Sequence, residues 1–508
     1  DVQIIDNEPP NALMQWAYSL RSAATKIIDL HIPKSRENGI AKALYLGIKD
    51  HLDNEVKQAY SAAGAMHVLA VSGLHVGIIY LLINLLFGRI SNLGKSGKYA
   101  FGLISVTLIW LYAAMTGLSP SVLRAGTMFT FVAIGQASAR EGNIYNTLAI
   151  AAFVLLLFQP YLIYSVGFQL SFAAVLGIVY LQPKMYRLFE VQNRLLDKAW
   201  AITCVSLAAQ ISTFPLTAYY FHQFPTYFLA SNLIVIPASF IMLTGGISMI
   251  IISFIYMPLG AFIGNYLGKF MWMINEIIGY VHQLPHSLIK WIYLDQTGLL
   301  LSYIFVGLFI GALHFRSFQT LVTSAIVGMI FMFTVLSSND QQSKKHELVF
   351  YEISKKLAID DINGHSSTLY IDDYEENELE LLAFQINPHR LASHLAPIQN
   401  SIVRFREVDF IQDQAFWLGQ IEGLRLVVFD STTFHLNFKK LVETDFIVIQ
   451  NQSVKSLKWL SEQFEFDQII LGHGNSRYYV HKMKSEGEKM GLKIHSLSGD
   501  GAFRYSVK

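Results

Sequence analysis

Apolar runs fill the first two thirds of the chain and are separated by short polar breaks. They lie near 66–87, 99–118, 121–139, 146–159, 161–182, 200–221, 226–257, 298–315 and 320–337. The longer ones approach the roughly 20 apolar residues that span a bilayer as a helix. Ahead of them, residues 1–65 carry charges at intervals, with apolar residues at helical spacing: Leu13, Trp16, Ala17 and Leu20, then Ile40, Leu44 and Ile48. This predicts helices outside the membrane or at its surface. Segment 146–159 is short, 226–257 is too long for one crossing and holds Pro237 and Gly245-Gly246, and 259–281 is interrupted by Lys269 and Glu276. Broken or half-spanning helices are tolerated only where they face protein or a water-filled cavity, so the pattern favours a transporter or channel core over a passive anchor.

From residue 338 the pattern changes. A polar linker at 338–347, SNDQQSKKHE, leads into alternating segments typical of strands at 348–353, 367–371, 402–411, 415–421 and 424–430. The strand DFIVIQ, an amphipathic stretch at 453–464, QIILG, a helix-like 476–490 and a last pair of strands follow. The expected fold class is a polytopic α-helical membrane domain plus a C-terminal α/β soluble domain. The expected division is 1–65 juxtamembrane, 66–337 multi-span, 338–347 linker and 348–508 soluble.

Composition agrees: 53% of residues are hydrophobic and 15% charged, which excludes a single soluble domain. Charge is uneven. Residues 1–337 hold 19 basic and 13 acidic side chains and residues 338–508 hold 19 and 24, so the tail lacks a strong nucleic-acid footprint. Basic residues next to spans stay in the cytoplasm, which puts loops 88–98 (Arg89, Lys95, Lys98) and 183–198 (Lys184, Arg187, Arg194, Lys198) there, with Arg140 on the same side. If Arg316 also marks the cytoplasm, the last span delivers the tail to the outer face. The lone cysteine, Cys204, excludes intrachain disulfides and cysteine-based zinc sites. The chain starts DVQIIDNEPP, with no initiator Met and no signal segment, and an N-terminal portion is expected to be missing.

Polar residues inside apolar runs are the candidate functional groups. In His67-Val-Leu-Ala-Val-Ser72-Gly73-Leu-His75, Ser72 and His75 are three apart on a helix, hence on one face, and Gly73 permits close approach of another backbone. Interhelical hydrogen-bond glue is the plain reading; a Ser/His hydrolytic dyad lacks a third residue to orient the base. In Gly117-Leu-Ser119-Pro-Ser-Val-Leu-Arg124, the proline is suited to starting a helix, with Arg124 one turn inside it. That Arg either snorkels to the interface or faces an aqueous path, where it would suit a phosphate-bearing substrate. Gln169 and Ser171, Gln210 with Pro215, and Asn232 with Pro237 put amide, hydroxyl and proline groups into further apolar runs. Singly each reads as packing; together they suggest a polar path.

Four segments in this order, HVLAVSGLHVGII (67–79), GLSPSVLRAGTM (117–128), SVGFQLSFAAVLGI (165–178) and QISTFPLTAYYFHQFPTYFLASNLIVIPAS (210–239), resemble the competence domain of the ComEC family, the inner-membrane DNA-uptake channel proteins of transformable bacteria. The resemblance covers about 20–337 well and the tail more loosely. It implies passage of single-stranded DNA across the cytoplasmic membrane during natural transformation. It implies as partners the lipid bilayer and other DNA-uptake proteins, with an oligomer allowed. The family's usual N-terminal oligonucleotide-binding fold is absent from this sequence, which fits a truncated start.

Many family members end in a metallo-β-lactamase-like domain proposed to degrade the non-transported strand. Segments 349–372, 445–452 and 466–480 look like parts of that domain. The dinuclear site of that fold needs an H-x-H-x-D-H cluster. The tail histidines, 346, 365, 389, 394, 435, 473, 481 and 495, are never closer than five residues. His473, in Gly-His-Gly, is at a strand end where a ligand or phosphate could sit, but a loop histidine with no second ligand at motif spacing reads as structural or incidental. His282 and His286 are separated by Pro285, which breaks the helix that would present them together. The expectation is a degenerate, noncatalytic tail with no metal, no cofactor and no catalytic residue. Two other readings stay open: a nuclease with scattered metal ligands, and a secondary transporter for a small anion, which would normally show internal repeats that are not apparent here.

Overall fold

The computed structural model describes residues 12–137, 143–353, 356–371, 378–398, 402–405, 411–412, 416–430 and 440–507; residues 1–11, Arg140 and His435 lie outside these. The chain divides into two compact units, Asp1–Thr320 and Leu321–Lys508.

The first unit is helical. Its elements are α1 (Ala12–His31), α2 (Ser35–Leu46), α3 (Asn54–Ala62), α4 (Met66–Leu69), α5 (Gly73–Phe87), α6 (Lys95–Met115), α7 (Pro120–Ala137), α8 (Ile144–Phe158), α9 (Val166–Tyr186), α10 (Arg194–Phe221), α11 (Phe228–Ile255), α12 (Met257–Gln283) and α13 (Gln296–Phe315). Short strands β1 (Gln223–Pro225) and β2 (Leu288–Lys290) follow α10 and α12. Among the described residues seven helices are long and apolar enough to cross a membrane: α5 with the turn after it, α6, α9, α10, α11, α13 and α14 (Phe318–Ser343). This is the multi-pass membrane architecture the apolar runs predict.

Three irregularities differ from the sequence reading. The run 226–257 is not broken: α11 continues through Pro237 and the glycine pair. Pro237 is exposed on its helix, and the missing N–H costs less where no water competes for the freed carbonyl and neighbouring groups re-satisfy it. Likewise α12 passes Lys269 and Glu276 without interruption, because Arg36 pairs with Glu276 at 3.4 Å and Lys269 lies over the Tyr266 ring. A break does occur where none was expected, at 70–72, where Ala70 and Ser72 are extended and divide the first apolar run into α4 and α5.

The N-terminal helices, expected outside the membrane or at its surface, pack onto two of the helices that follow. One buried core joins Ile28, Ile40, Leu44 and Tyr60 of α1–α3 to Val235, Met242 and Met249 of α11 and Met271, Ile274 and Ile278 of α12. Part of their charge is paired locally, as Lys42 with Asp29 at 2.7 Å.

Four contacts fix which helix ends share a side. Gly73 at the start of α5 lies against Arg124, and Tyr80 donates to Gln136 at 2.8 Å, so α5 and α7 run parallel. Pro120 at the start of α7 lies 3.8 Å from where a Gly167 Cβ would be, so α9 begins at the same end. The antiparallel pairing of β1 with β2 brings the ends of α10 and α12 together. Helix α8, about 22 Å long, is shorter than the roughly 30 Å hydrocarbon core.

The second unit opens on α14, which runs on to Ser343. The stretch read as a linker therefore holds little irregular chain: Gln342 donates to the Gly364 carbonyl at 3.2 Å, and β3 starts at His346. One sheet has the order β15-β3-β4-β5-β6, from β3 (His346–Ile353), β4 (Lys356–Asn363), β5 (Ser366–Ile371), β6 (Ile402–Arg404) and β15 (Phe503–Ser506). The other has the order β14-β13-β11-β9-β8-β7, from β7 (Ile411–Gln412), β8 (Phe416–Ile421), β9 (Leu424–Phe429), β11 (Phe446–Ile449), β13 (Gln468–Leu471) and β14 (Ile494–Ser496). A small parallel pair, β10 (Val442–Glu443) with β12 (Phe464–Glu465), stands beside them. Phe350, Leu357, Trp417, Val428 and Ile470 fill the space between the sheets. Helix α15 (Leu379–Ala392) covers the outer face of the first sheet through Leu382 and Ile386. Helices α16 (Leu457–Gln463) and α17 (Arg477–Met490) cover the second, and α18 (Leu497–Asp500) precedes β15. The result is a four-layer α/β/β/α body.

Candidate polar site in the helical region

Arg124 lies one turn inside α7 and only 6% exposed, so its position is set by what surrounds the guanidinium. Nε donates to Ser171 Oγ at 2.6 Å, and Nη1 lies 3.3 Å from Met128 Sδ. Nη2 sits against Gly73, where a Cβ would come within 2.3 Å of it; glycine there is a steric requirement. The Phe172 ring lies 6.0 Å away. No carboxylate pairs with Arg124 among the described residues. A buried charge without a partner is expensive, so a guanidinium kept here implies either a wet path or an anion that visits.

Ser72 and His75 are not two positions on one helical face, as the spacing suggested. Ser72 is the N-cap of α5, and His75 Nδ1 accepts its backbone N–H at 3.1 Å and lies 2.9 Å from its Oγ. This is a capping box, with the imidazole in the place a Glu usually takes. The far nitrogen, Nε2, is buried without a partner, so nothing orients the ring as a catalytic base. Gly73 receives a side chain here, not a second backbone.

The remaining candidates fall into separate places. Ser119 precedes α7, and its Oγ is buried without a hydrogen bond. Gln169 donates to the Ile163 carbonyl at 2.8 Å and accepts from Tyr220 at 2.9 Å, tying the start of α9 to α10. Asn232 donates to Ser206 at 3.3 Å between α10 and α11, with Oδ1 left unpartnered. Gln210 is half-buried on α10, Pro215 is buried in the same helix, and Pro237 is exposed. His67 is on α4, exposed, with Nδ1 3.2 Å from the Gly64 carbonyl. The structure therefore gathers Gly73, Arg124 and Ser171 at one point, with Ser72, His75 and Ser119 on the adjoining helix ends. Sequence reading missed Tyr60, whose hydroxyl donates to Asn275 at 2.8 Å; a Tyr and an Asn 215 residues apart give no signal before the helices are packed.

The tail contains no group of three metal-ligating side chains among the described residues. Four of its histidines make contacts within the fold. His346 meets Asp361 at 3.1 Å, His394 meets Ser338 at 3.0 Å and His495 lies 2.9 Å from the Gly501 carbonyl. Burial, then Arg504, Arg390 and Lys345, hold His389 down to about 4, so it is neutral, and its Nδ1 shares a hydrogen bond with the Tyr351 hydroxyl at 2.6 Å. These residues do not fit a metal pair.

The profile of the family described as "Competence protein" matches residues 44–316, more than half the chain, and that of the "ComEC C-terminal domain" matches 348–507. ComE operon protein 3 of Bacillus subtilis (strain 168) is 29% identical over 341 residues, 66% of this chain and 42% of that protein. An uncharacterized protein of Aquifex aeolicus (strain VF5) is 33% identical over 193 residues, 38% of this chain and 42% of its own length. The uncharacterized protein YcaI of Escherichia coli (strain K12) is 27% identical over 146 residues, 28% and 19%. The chain thus spans less than half the length of each of these relatives. No solved structure gives a significant match. The three motifs that meet at Arg124 lie inside the matched region, and with the seven apolar helices the match makes this a multi-pass inner-membrane protein. The chain belongs to the competence protein family, with a ComEC C-terminal domain as its tail.

Proposed function

We propose that this chain is a membrane channel subunit that passes single-stranded DNA across the cytoplasmic membrane during natural transformation. The observation that carries the reading is Arg124, a buried guanidinium with no carboxylate among the described residues, in a chain of the competence protein family. Single-stranded DNA carries one charge per phosphate, so its path through a low-dielectric bilayer must be wet, polar and locally positive. Arg124, Ser171, Gln169, Asn232 and the other polar candidates would line such a path. Tyr219, Tyr220, Phe221, Phe224 and Tyr227 are more economically read as an interfacial belt than as base-stacking surfaces, since Tyr219 meets Tyr220, Phe224 meets Phe228, and the Tyr220 and Tyr227 hydroxyls bond Gln169 and the Pro285 carbonyl. In this reading the tail is a degenerate metallo-β-lactamase-like fold without a catalytic metal pair, and other DNA-uptake proteins complete the machinery. Deleting the protein should leave DNA bound at the cell surface but stop its arrival in the cytoplasm. Normal arrival of labelled DNA in the deletion strain would overturn the assignment and favour the small-anion transporter.

The same reading sets the orientation. Loops 88–98 and 183–198 are taken as cytoplasmic from their Lys and Arg content. The shared ends of α5, α7 and α9 support this, because two loops that follow parallel helices starting on one side fall on the other. The β1–β2 pairing supports a crossing by α12 as well as α11, which returns the chain to the outside, and α13 and α14 then carry the tail out. A cysteine introduced at exposed Tyr478 should be labelled by an impermeant reagent in intact cells. Labelling only after the cytoplasmic face is opened would sink this orientation.

A further inference from the structure

The motifs that meet at Arg124 are three helix beginnings. Helices α5, α7 and α9 run parallel, and their first turns adjoin through the Gly73–Arg124 and Pro120–Gly167 contacts. Each N-terminus carries a partial positive charge and backbone N–H groups that the helix cannot satisfy. The usual remedy is a side-chain acceptor, and here it is scarce. Ser165, the N-cap of α9, makes no side-chain cap bond, and Ser119, before α7, has its hydroxyl buried without a partner. In α5 the Ser72–His75 capping box leaves the N–H groups of Gly73 and Leu74 without a protein acceptor among the described residues.

Into this collection of donors the fold inserts a cation. A guanidinium beside a helix N-terminus is electrostatically unfavourable, since it adds positive charge where the dipole already supplies it. Yet Arg124 is more than nine-tenths buried, is steered by Ser171 and Met128, and has Nη2 placed at the first residue of α5. Nη2 has no protein acceptor among the described residues, and it is not among the fully enclosed polar atoms, so it keeps an opening. Donors and positive charge in excess, with no acceptor nearby, describe the vacant half of an anion site.

We infer that Arg124 and the N-terminal ends of α5, α7 and α9 form a binding site for one phosphodiester oxyanion. The inference rests on the DNA-passage reading for the source of that phosphate, while its geometry stands apart from it. A nucleic-acid backbone and a lipid headgroup present the same group, and the test separates them.

The full chain with Leu74→Cys is purified in dodecyl maltoside, which has no phosphate. Leu74 is 40% exposed beside Gly73, whereas Cys204 is fully buried, so the new thiol reports the site. Dimethyl phosphate at about four times its dissociation constant should slow thiol modification about fivefold, by simple occupancy. Its uncharged isostere, dimethyl methylphosphonate, should not slow it. Arg124→Gln should abolish the protection and Arg124→Lys keep part of it. Should Arg124→Gln fail to assemble, Ser119→Ala decides: weaker protection supports the site, and undiminished protection counts against it. Slowing by the uncharged isostere, or full protection in Arg124→Gln, overturns the inference. Protection by an oligothymidylate identifies the nucleic-acid backbone as the source. Protection that appears in phosphatidylglycerol nanodiscs and is not increased by oligothymidylate identifies a lipid headgroup. If DNA uptake requires the protein but dimethyl phosphate has no effect, the site fails and the DNA reading stands; protection without a role in uptake gives the reverse.

Discussion

Replacing Arg124 by Ala is expected to reduce DNA uptake by about ten- to a hundredfold, the equivalent of the roughly 1.5–3 kcal/mol carried by a hydrogen bond to a charged group. Arg124→Lys should retain more. Lysine keeps the charge, but a single ammonium cannot reach Ser171, Met128 and the start of α5 together as the planar guanidinium does. The ordering wild type, Lys, Ala therefore tests whether charge or the fork matters. Equal and complete loss in both variants would reject a point-charge role. Membrane abundance must be measured alongside, since the Ser171 bond also holds α7 to α9 and a folding defect would imitate a transport defect.

That geometry was only half legible in the sequence. Arg124 stands out as a lone charge in an apolar run, and Pro120 announces the helix that carries it. Which groups surround it depends on parallel packing of α5, α7 and α9, and nothing local in 67–79 or 165–178 specifies that neighbour. Ser72 and His75 were recognisable as a pair, but their spacing fits a helical face and an N-cap with N3 equally well; the difference lies in the extended backbone at Ala70 and Ser72. The reading of 226–257 as broken failed because Gly245-Gly246 and Pro237 are breakers in water. In α11 the glycine at 246 instead accommodates the Tyr45 ring, which would meet a Cβ at 2.1 Å. The charges of residues 1–65 gave no sign of how α1–α3 pack, because Lys42 pairs with Asp29, and Arg36 with Glu276, only after folding. The tail was more transparent. β3, β5, β8 and β9 fall on the strand segments read at 348–353, 367–371, 415–421 and 424–430, and α16 and α17 on the helical stretches read at 453–464 and 476–490, whereas α15 has no counterpart in that reading.

The adjacent acids of β4, Asp360 and Asp361, interrupt an otherwise apolar strand, and Asp360 holds the second large expected effect. Asp360 faces α15, where Arg390 meets it in a two-pronged bond, Nε to Oδ2 at 2.8 Å and Nη2 to Oδ1 at 2.6 Å, with both side chains fully buried. Removing one partner leaves the other charge stranded among Ala358, Ile362, Leu382 and Ile386. Asp360→Ala should therefore destabilise this part of the tail by about 3–5 kcal/mol. That is a large share of the roughly 5–15 kcal/mol that holds a domain. The double replacement Asp360→Leu with Arg390→Met should recover most of the loss, because burying two apolar groups avoids the desolvation that the ion pair must overcome. A contrast of similar length lies at the C-terminal end of α14: Lys344, just past the helix, and Asp340 approach to 2.6 Å but are 72% and 64% exposed. Severing that pair should change stability by no more than about 0.5 kcal/mol, because water already screens it. Hydrogen exchange of the β3, β4 and β5 amides in the full chain reads all three variants, since protection there follows the free energy of opening that sheet. Unchanged exchange in Asp360→Ala, or a double variant as unprotected as the single, would show that the buried pair does not hold α15 to the sheet.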